Sequence, residues 1–197
     1  MQKAKTEKAR VTKAYLIEQA RALILELGIE QLSMDRLAKY AGYSKGAVMY
    51  HFPSKRHLQA ALIQDYADHL EGELQRQLKR YPDQDVPNFL RAYIDWFDSF
   101  SQDRYGWPRL GVTLLSQVTN DPELMKPVRD WYDGLYARIE AVEEGPARSA
   151  LMLALMSLEG FFYTRKFGLH PTEEMRRSAI ASLRKRVDHW DAEIAKS

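Results

Sequence analysis

Apolar residues recur along the chain at the three- and four-residue spacing of amphipathic helices. No segment alternates apolar and polar residues as a half-buried strand does. Glycine and proline interrupt the repeat and divide it into segments, so the pattern predicts an all-α fold of about nine helices. Two short helices fall between Ser33 and Phe52, and the other seven cover about Glu7–Leu27, Ser54–Arg80, Val86–Ser101, Leu110–Val118, Pro122–Glu143, Ala147–Phe167 and Thr172–Ala195.

Residues 33–55, SMDRLAKYAGYSKGAVMYHFPSK, have the pattern of two short helices joined by a tight turn. Ser33 and Ser44 are placed to cap these helices, and Gly42 is placed to end the first. Val48 and Phe52 lie four residues apart, so both can face a core behind the second helix. This is the helix-turn-helix pattern, whose second helix enters the DNA major groove. The alternative from the residues alone is a plain helical hairpin with a capped turn.

The same stretch resembles a known family. The run AGYSKGAVMYHFPSK is similar to the recognition segment of TetR-type transcriptional regulators, and ARALILELGIEQLSMDRLA resembles the first and second helices of that family. Three residues depart from the family pattern: Ala47 stands where a hydroxyl residue is frequent, Met49 where an aromatic is usual, and Ile24 where phenylalanine is usual. Because positions 47 and 49 commonly reach DNA in relatives, the resemblance does not carry over an operator sequence.

Charge is unevenly distributed along the 197 residues. Residues 1–57 carry a net charge of +6 and the remainder carries −4. A basic amino-terminal part beside an acidic body is typical of a DNA-binding head joined to a body with another task. Residues 1–9, with Lys3, Lys5 and Lys8, are expected to form a mobile basic arm that either neutralises phosphates or only aids solubility. We assign a helix-turn-helix DNA-binding domain to 1–54 and a helical effector-binding and dimerisation domain to 55–197.

The resemblance implies particular contacts to double-stranded DNA. Tyr50 and His51 lie where the family contacts the sugar–phosphate backbone. Lys55 is placed to meet a phosphate together with the first amides of the fourth helix. Lys45 is the best candidate for a base-edge or phosphate contact in the groove. The predicted DNA-binding residues are Ser33, Arg36, Tyr43, Ser44, Lys45, Gly46, Ala47, Met49, Tyr50, His51 and Lys55.

One such head would bind weakly, and useful specificity requires two heads on a palindrome, about 34 Å or a multiple apart. The body is therefore expected to form a homodimer. The last two helices carry more apolar surface than one packing face needs, and a pair from each subunit can form a four-helix bundle, which is also the family's arrangement. The predicted interface is Leu151, Met152, Leu155, Met156, Leu158, Phe162, Ala179, Leu183 and Val187. The alternative is that these residues form the core of a monomer.

Aromatic residues are dense in the body, where relatives in the family bind small molecules. The predicted pocket for an apolar or aromatic effector is Phe89, Tyr93, Trp96, Phe97, Phe100, Trp107, Leu110, Leu114, Trp131, Tyr132 and Glu159. The alternative is an ordinary packed core. Glu159 interrupts an apolar helix and is costly to bury without a partner. It faces either a ligand group or an arginine (Arg165 or one across the dimer), and the arginine is favoured.

Composition disfavours several other classes of function. The chain has no cysteine, which excludes disulfides, thiolate metal sites and thiol redox sensing. The five histidines have no metal-ligand spacing, and a glycine-rich phosphate loop and a nucleophile elbow are both missing, so we expect no metal, cofactor or catalytic site. The amino terminus lacks a signal-peptide pattern, and the longest apolar run, 150–158, is shorter than the roughly 20 residues that span a membrane. These features favour a cytoplasmic protein.

Together, the motif, the charge distribution and the resemblance predict a dimeric, sequence-specific DNA-binding transcriptional regulator. The family implies a repressor that a small, largely apolar or aromatic effector releases from its operator. The alternative is a DNA-binding regulator with a fully packed body that is controlled by a protein partner or by no ligand.

Overall fold

The structure is a computed structural model that describes residues 2–81, 85–103, 105–166, 169 and 171–194, and all of their side chains except those of 2–5, 146–147, 165–166 and 190–194. This part of the chain contains nine α-helices and no β-strand, as the sequence predicts. The helices are α1 (Gln2–Leu27), α2 (Met34–Ala41), α3 (Lys45–His51), α4 (Lys55–Leu78), α5 (Val86–Ser101), α6 (Trp107–Val118), α7 (Pro122–Glu140), α8 (Pro146–Lys166) and α9 (Glu173–Ile194). A short 3-10 turn, Ile29–Gln31, follows α1.

Two helices begin earlier than the sequence predicts. Helix α1 begins at Gln2, so the stretch that was expected to form a mobile arm is helical, and Glu7 pairs there with Arg10 at 2.7 Å. Helix α6 begins at Trp107, before the predicted start at Leu110. The Asp103 carboxylate accepts a hydrogen bond from the Trp107 amide at 3.0 Å, and this cap explains the extra turn of helix. Phe167 and Ala195, the predicted ends of α8 and α9, lie outside the described residues.

Packing divides the chain into two compact units. The first comprises Met1–Asp68 and Arg109–Arg129, and the second comprises His69–Pro108 and Asp130–Ser197. Helices α4, α6 and α7 each contribute residues to both units. Because this division follows packing and the predicted domain boundary at residue 54 concerns function, that boundary stays a prediction.

The first unit is closed by apolar side chains from α1 to α4, among them the fully buried Leu16, Leu37 and Leu62. The half-buried pair Arg21–Asp65 connects α1 to α4 at 2.7 Å. Helix α6 also packs in this unit. A β-carbon at Gly111 of α6 would overlap the ring of Tyr66 on α4, so this close approach of the two helices requires glycine.

The second unit is organised around α5, which packs against α8 and α9. Its core-facing residues Leu90, Tyr93, Ile94 and Phe97 are almost fully buried. Three arginine–aspartate pairs connect α5 to α9: Arg91 with Asp188 at 2.9 Å, Arg184 with Asp95 at 2.9 Å, and Arg176 with Asp98 at 2.8 Å. At the start of α9 the Thr172 hydroxyl caps the helix by accepting a hydrogen bond from the Met175 amide at 3.2 Å.

Candidate functional site

The turn between α2 and α3 has the local geometry that the sequence predicts. Gly42 ends α2 in the left-handed conformation (φ 73°), which residues with a β-carbon disfavour. The Ser33 hydroxyl accepts a hydrogen bond from the Arg36 amide at 3.2 Å, and the Ser44 hydroxyl accepts one from the Ala47 amide at 3.1 Å. Both helices therefore begin with a capped first turn, which fixes the direction in which α3 leaves the turn.

Helix α3 buries one side and exposes the other. Val48 and the following residue Phe52 are buried, as their spacing predicts. On the opposite side Lys45 and Met49 are exposed, and 74% of the Tyr50 surface is accessible. The result is a short helix whose cationic and aromatic side chains project from a firmly packed base, which is the form of a helix that reads a DNA groove.

The structure places the predicted DNA-binding residues on or near this surface. The exposed members are Ser33, Arg36, Tyr43, Ser44, Lys45, Gly46, Met49, Tyr50 and Lys55, and the half-buried members are Ala47 and His51. The Tyr43 ring lies 6.0 Å from the ring of Tyr15 on α1, and the Tyr50 ring lies 5.1 Å from that of His51. Tyr43 is thus both exposed and in contact with α1. The individual roles of these residues at DNA remain predictions.

Sequence reasoning missed Asp35. Its Oδ2 atom lies 2.9 Å from Nζ of Lys45, and both side chains are exposed. Asp35 is in the first turn of α2 and Lys45 is in the first turn of α3, so the fold of the turn between the helices brings them together. Because they belong to different helices, no helical spacing in the sequence predicts the pair. The consequence is that Lys45, the cation predicted to reach into the DNA groove, already has a negatively charged neighbour in the free protein.

In the second unit, five of the predicted pocket residues form one packed group, which we call the aromatic cluster: Tyr93, Trp96, Phe97, Phe100 and Trp131. All five side chains are buried. The Trp96 ring is central, with centroid distances of 5.1 Å to Tyr93, 5.3 Å to Phe100 and 5.5 Å to Trp131. These are ordinary distances for interacting rings. Among the described residues the Trp96 indole Nε1 has no hydrogen-bond acceptor.

The other predicted pocket residues lie at the edge of the aromatic cluster or outside it. Phe89 lies at its edge, with its ring 6.3 Å from that of Tyr93. Phe89 is half-buried beneath the guanidinium of Arg138, which is 5.8 Å from the ring centroid. The Trp107 ring stacks on that of His69, with 3.8 Å between centroids. Leu110 and Leu114 are buried in the first unit, whereas the aromatic cluster belongs to the second.

Glu159 of α8 is buried beside the aromatic cluster with only 7% of its surface accessible. Its Oε1 atom accepts a hydrogen bond from the Tyr93 hydroxyl and its Oε2 atom accepts one from the Tyr132 hydroxyl, both at 2.8 Å. Within the subunit these two phenols are its hydrogen-bond partners among the described residues. The side chain of Arg165 lies outside the described residues, and the pairing with an arginine stays a prediction. Burial raises the pKa of Glu159, and the two phenol hydrogen bonds lower it in part.

The predicted dimer residues differ in exposure. Leu151, Leu155, Leu158 and Val187 are buried within the subunit; Phe162, Ala179 and Leu183 are half-buried; Met152 and Met156 are exposed. Leu153 and Tyr163 are exposed on α8 as well, although the sequence did not single them out. Helix α8 therefore keeps an apolar outer face after its inner face is buried.

Neither a metal site nor a membrane-spanning helix is present in the part of the chain that the structure describes. There, no three His, Cys, Asp or Glu side chains converge as a metal site would require. None of the described helices combines the length and the apolar character needed to cross a membrane.

Comparison with protein families decides the identity of both parts of the chain. The family described as bacterial regulatory proteins, tetR family, matches residues 16–62, which include α2 and α3. The family described as tetracyclin repressor-like, C-terminal domain, matches residues 87–188, more than half of the chain. The chain belongs to the TetR family. Members of this family are DNA-binding transcription factors rather than enzymes.

Two curated relatives are distant, and the chain matches each over part of its length. The HTH-type transcriptional repressor AcnR of Corynebacterium efficiens is 27% identical over 135 residues, which are 68% of this chain and 64% of AcnR. The nucleoid occlusion factor SlmA of Actinobacillus pleuropneumoniae is 27% identical over 110 residues, or 56% of this chain and 53% of SlmA. The chain thus matches less than two thirds of the length of either relative.

Solved structures support the same TetR fold. A transcriptional regulator of Streptomyces coelicolor A3(2) aligns with a TM-score of 0.66 at 21% identity, covering 88% of this chain and 96% of that one. The multidrug binding protein EbrR, in a complex with imidazole, aligns with a TM-score of 0.61 at 22% identity, covering 87% and 93%. At such identities the likeness concerns the fold alone.

Replacing Glu159 with glutamine tests the buried carboxylate. Because its folded-state pKa is raised, the folded chain holds the proton more tightly than the unfolded chain, and stability is lost as pH rises from the unfolded value of about 4.5 through the folded value. Glutamine has no proton to lose. We therefore expect the free energy of unfolding of Glu159→Gln, relative to the unsubstituted protein, to increase as pH rises above about 4.5.

Urea unfolding followed by tryptophan fluorescence measures this difference at each pH. Glu143→Gln, the same change at an exposed position between α7 and α8, serves as the control and should show no such trend. A difference for Glu159→Gln that stays constant with pH would contradict the raised pKa.

Proposed function

We propose that this TetR-family regulator is a homodimeric repressor that binds a palindromic operator and is released from it by a small, largely apolar or aromatic effector. The observation that carries the DNA-binding part is the exposed face of α3, where Lys45, Met49 and Tyr50 project from a base fixed by Val48 and Phe52. That AcnR, which shares 27% of the aligned residues, is a transcriptional repressor supports the sign of regulation. A repressor of this kind acts in the cytoplasm.

The proposed DNA contacts are of two kinds: contacts that position the protein on the DNA backbone and contacts that recognise the base sequence. Phosphate contacts supply most of the affinity, and a few base-edge contacts supply the preference for sequence. Tyr50 and His51 contact the backbone, while Lys55 meets a phosphate at the amino end of α4, where the unpaired amides of the first turn add partial positive charge. Lys45 reaches into the groove from the first turn of α3.

Dimerisation uses the outer face of α8 in this proposal. Met152, Leu153, Met156 and Tyr163 are exposed at positions that share one side of the helix, and Leu153 keeps 67% of its surface accessible. Exposed apolar surface of this extent is unfavourable in water and is removed when two subunits pack these faces against each other. Together with α9, the faces would form a four-helix bundle.

Control by an effector follows from the same assembly. Two heads dock together only when their spacing matches about one turn of DNA or a multiple of it. An effector that favours another spacing weakens DNA binding, and DNA must weaken effector binding by the same factor. Helix α4 carries residues of both units and is the proposed route for this change. That EbrR, a protein of the same fold, binds ethidium and malachite green supports an aromatic effector.

Lys55→Ala tests the phosphate assignment. The variant should bind every DNA sequence more weakly, and the slope of log affinity against log salt concentration should fall by about one, because one phosphate contact is lost. Fluorescence anisotropy of labelled duplexes between about 50 and 200 mM salt measures both quantities. Lys79→Ala, which removes an exposed lysine after α4, is the matched control. If Lys55→Ala keeps full affinity at low salt, Lys55 does not contact a phosphate.

Asp35→Asn tests whether the Asp35–Lys45 ion pair of the free protein weakens DNA binding. Removing the carboxylate frees the Lys45 ammonium and takes a negative charge from the surface that faces DNA. We expect about two- to fivefold tighter binding at low salt, a gain that fades at higher salt because both groups are exposed. Asp133→Asn on the exposed side of α7 is the control, since it changes net charge equally. Unchanged or weaker binding by Asp35→Asn alone would contradict a role for Lys45 at DNA.

A further inference from the structure

A pocket of about 300 Å³ opens in the second unit, next to the aromatic cluster but outside it. Its volume is at the lower end of the range of about 300–1,000 Å³ found for small-molecule sites. The end of α5, the last turns of α8 and the beginning of α9 surround it. Its apolar wall consists of Phe97, Phe161, Phe162, Pro108 and Pro171. None of these except Phe97 belongs to the pocket that the sequence predicts.

The apolar wall is aromatic and continuous with the core. The Phe162 ring lies 6.0 Å from that of Phe100, which in turn lies 5.3 Å from Trp96 at the centre of the aromatic cluster. Phe97 is itself a buried member of the cluster. A molecule in the pocket would therefore rest on rings that cannot easily move away, which favours a flat aromatic occupant over a flexible one.

The polar side chains at the edge of the pocket form hydrogen bonds with one another. The Arg176 guanidinium donates two hydrogen bonds to the Glu173 carboxylate, at 2.9 Å and 2.7 Å, one to Asp98 at 2.8 Å and one to Ser101 at 3.2 Å. The Thr172 hydroxyl caps α9. Arg176 is buried, whereas more than half of the Glu173 side chain is exposed, so the guanidinium is held inside the folded unit and this carboxylate lies at its surface.

The pairing at this edge indicates the charge of the occupant. The two charged residues of the lining, Glu173 and Arg176, neutralise each other, and Asp98 also pairs with Arg176. An anion entering the pocket would have to displace a carboxylate from Arg176, and a cation would have to displace Arg176 from Glu173. Both charged residues of the lining are already paired, so an ion of either sign gains a partner in the pocket only by breaking an existing pair.

We infer that this pocket is a binding site for an uncharged, mainly aromatic small molecule, and that this molecule is the effector. The second half of the inference rests on the proposed function, whereas the binding itself does not. Because Phe161 and Phe162 belong to α8, the occupant acts on the helix whose outer face is proposed to join the subunits. The effector would then change the dimer from this junction of α8 and α9.

Two fluorescent dyes with the same ring system test the site directly. N-phenyl-naphthylamine is uncharged, and anilinonaphthalene sulfonate adds one sulfonate to the same rings. Titration of the full chain should give saturable binding of the uncharged dye, with about tenfold weaker binding of the sulfonate. Equal or tighter binding of the sulfonate, or a signal from the uncharged dye that does not saturate, would overturn the inference.

Variants locate the dye. Ser101→Leu adds volume inside the pocket, and Phe161→Ala removes part of its wall, so each should lower affinity for the uncharged dye by about tenfold. Ser99→Leu makes the same substitution at an exposed position of α5 and should leave affinity unchanged. Thermal unfolding of each free variant verifies that it is folded. Loss in neither pocket variant, or equal loss in Ser99→Leu, would place the dye elsewhere and refute the assignment.

A DNA-binding measurement with and without the dye distinguishes a failure of this inference from a failure of the proposed function. In the presence of saturating uncharged dye, affinity for a duplex selected by this protein should fall, and Ser101→Leu should abolish that effect while still binding the duplex. Dye binding that leaves DNA affinity unchanged would overturn the effector role but not the pocket. Failure to select any duplex would instead count against the proposed function and leave the dye titration to decide the pocket.

Discussion

A helix of seven residues does not hold its conformation alone in water, and α3 depends on what packs behind it. Val48 and Phe52 are buried against the first unit, and the Ser44 cap and the left-handed Gly42 set where the helix begins. These few interactions fix the side chains on the outer face of α3 relative to the rest of the head. Because base-edge recognition requires side chains held at defined positions, any sequence preference of the protein depends on them.

The second unit contains polar groups buried within an aromatic interior. Glu159 is tolerated because two tyrosine hydroxyls donate to its two oxygens, and Arg176 is tolerated because two carboxylates surround it. Such paired groups hold α5, α8 and α9 in one arrangement, since breaking a buried pair leaves an uncompensated charge. The rings between them are closely packed, and the open volume lies at the edge, where α8 ends and α9 begins.

Local sequence patterns predicted the fold and the caps but not the contacts between distant residues. Hydrophobic spacing and the residues Ser33, Gly42 and Ser44 were sufficient for the all-α class and for the turn of the head, because caps and turns act within a few residues. The Lys45–Asp35 pair and the phenol partners of Glu159 join residues of different helices, so no spacing rule exposes them. The start of α6 at Trp107 was not predicted, because the capping residue Asp103 precedes Trp107 by four residues. The pocket at the start of α9 was not predicted for the same reason, since its lining combines residues from four helices.

Selection of bound fragments from random duplex DNA, read by sequencing, tests the central claim most directly. The purified full chain should enrich a palindrome whose half-sites are about 34 Å apart, or a multiple of it, as two symmetric heads require. Enrichment of a single unrepeated half-site would contradict the dimeric reader. No enrichment at all, with binding that disappears at moderate salt, would contradict sequence-specific recognition by α3.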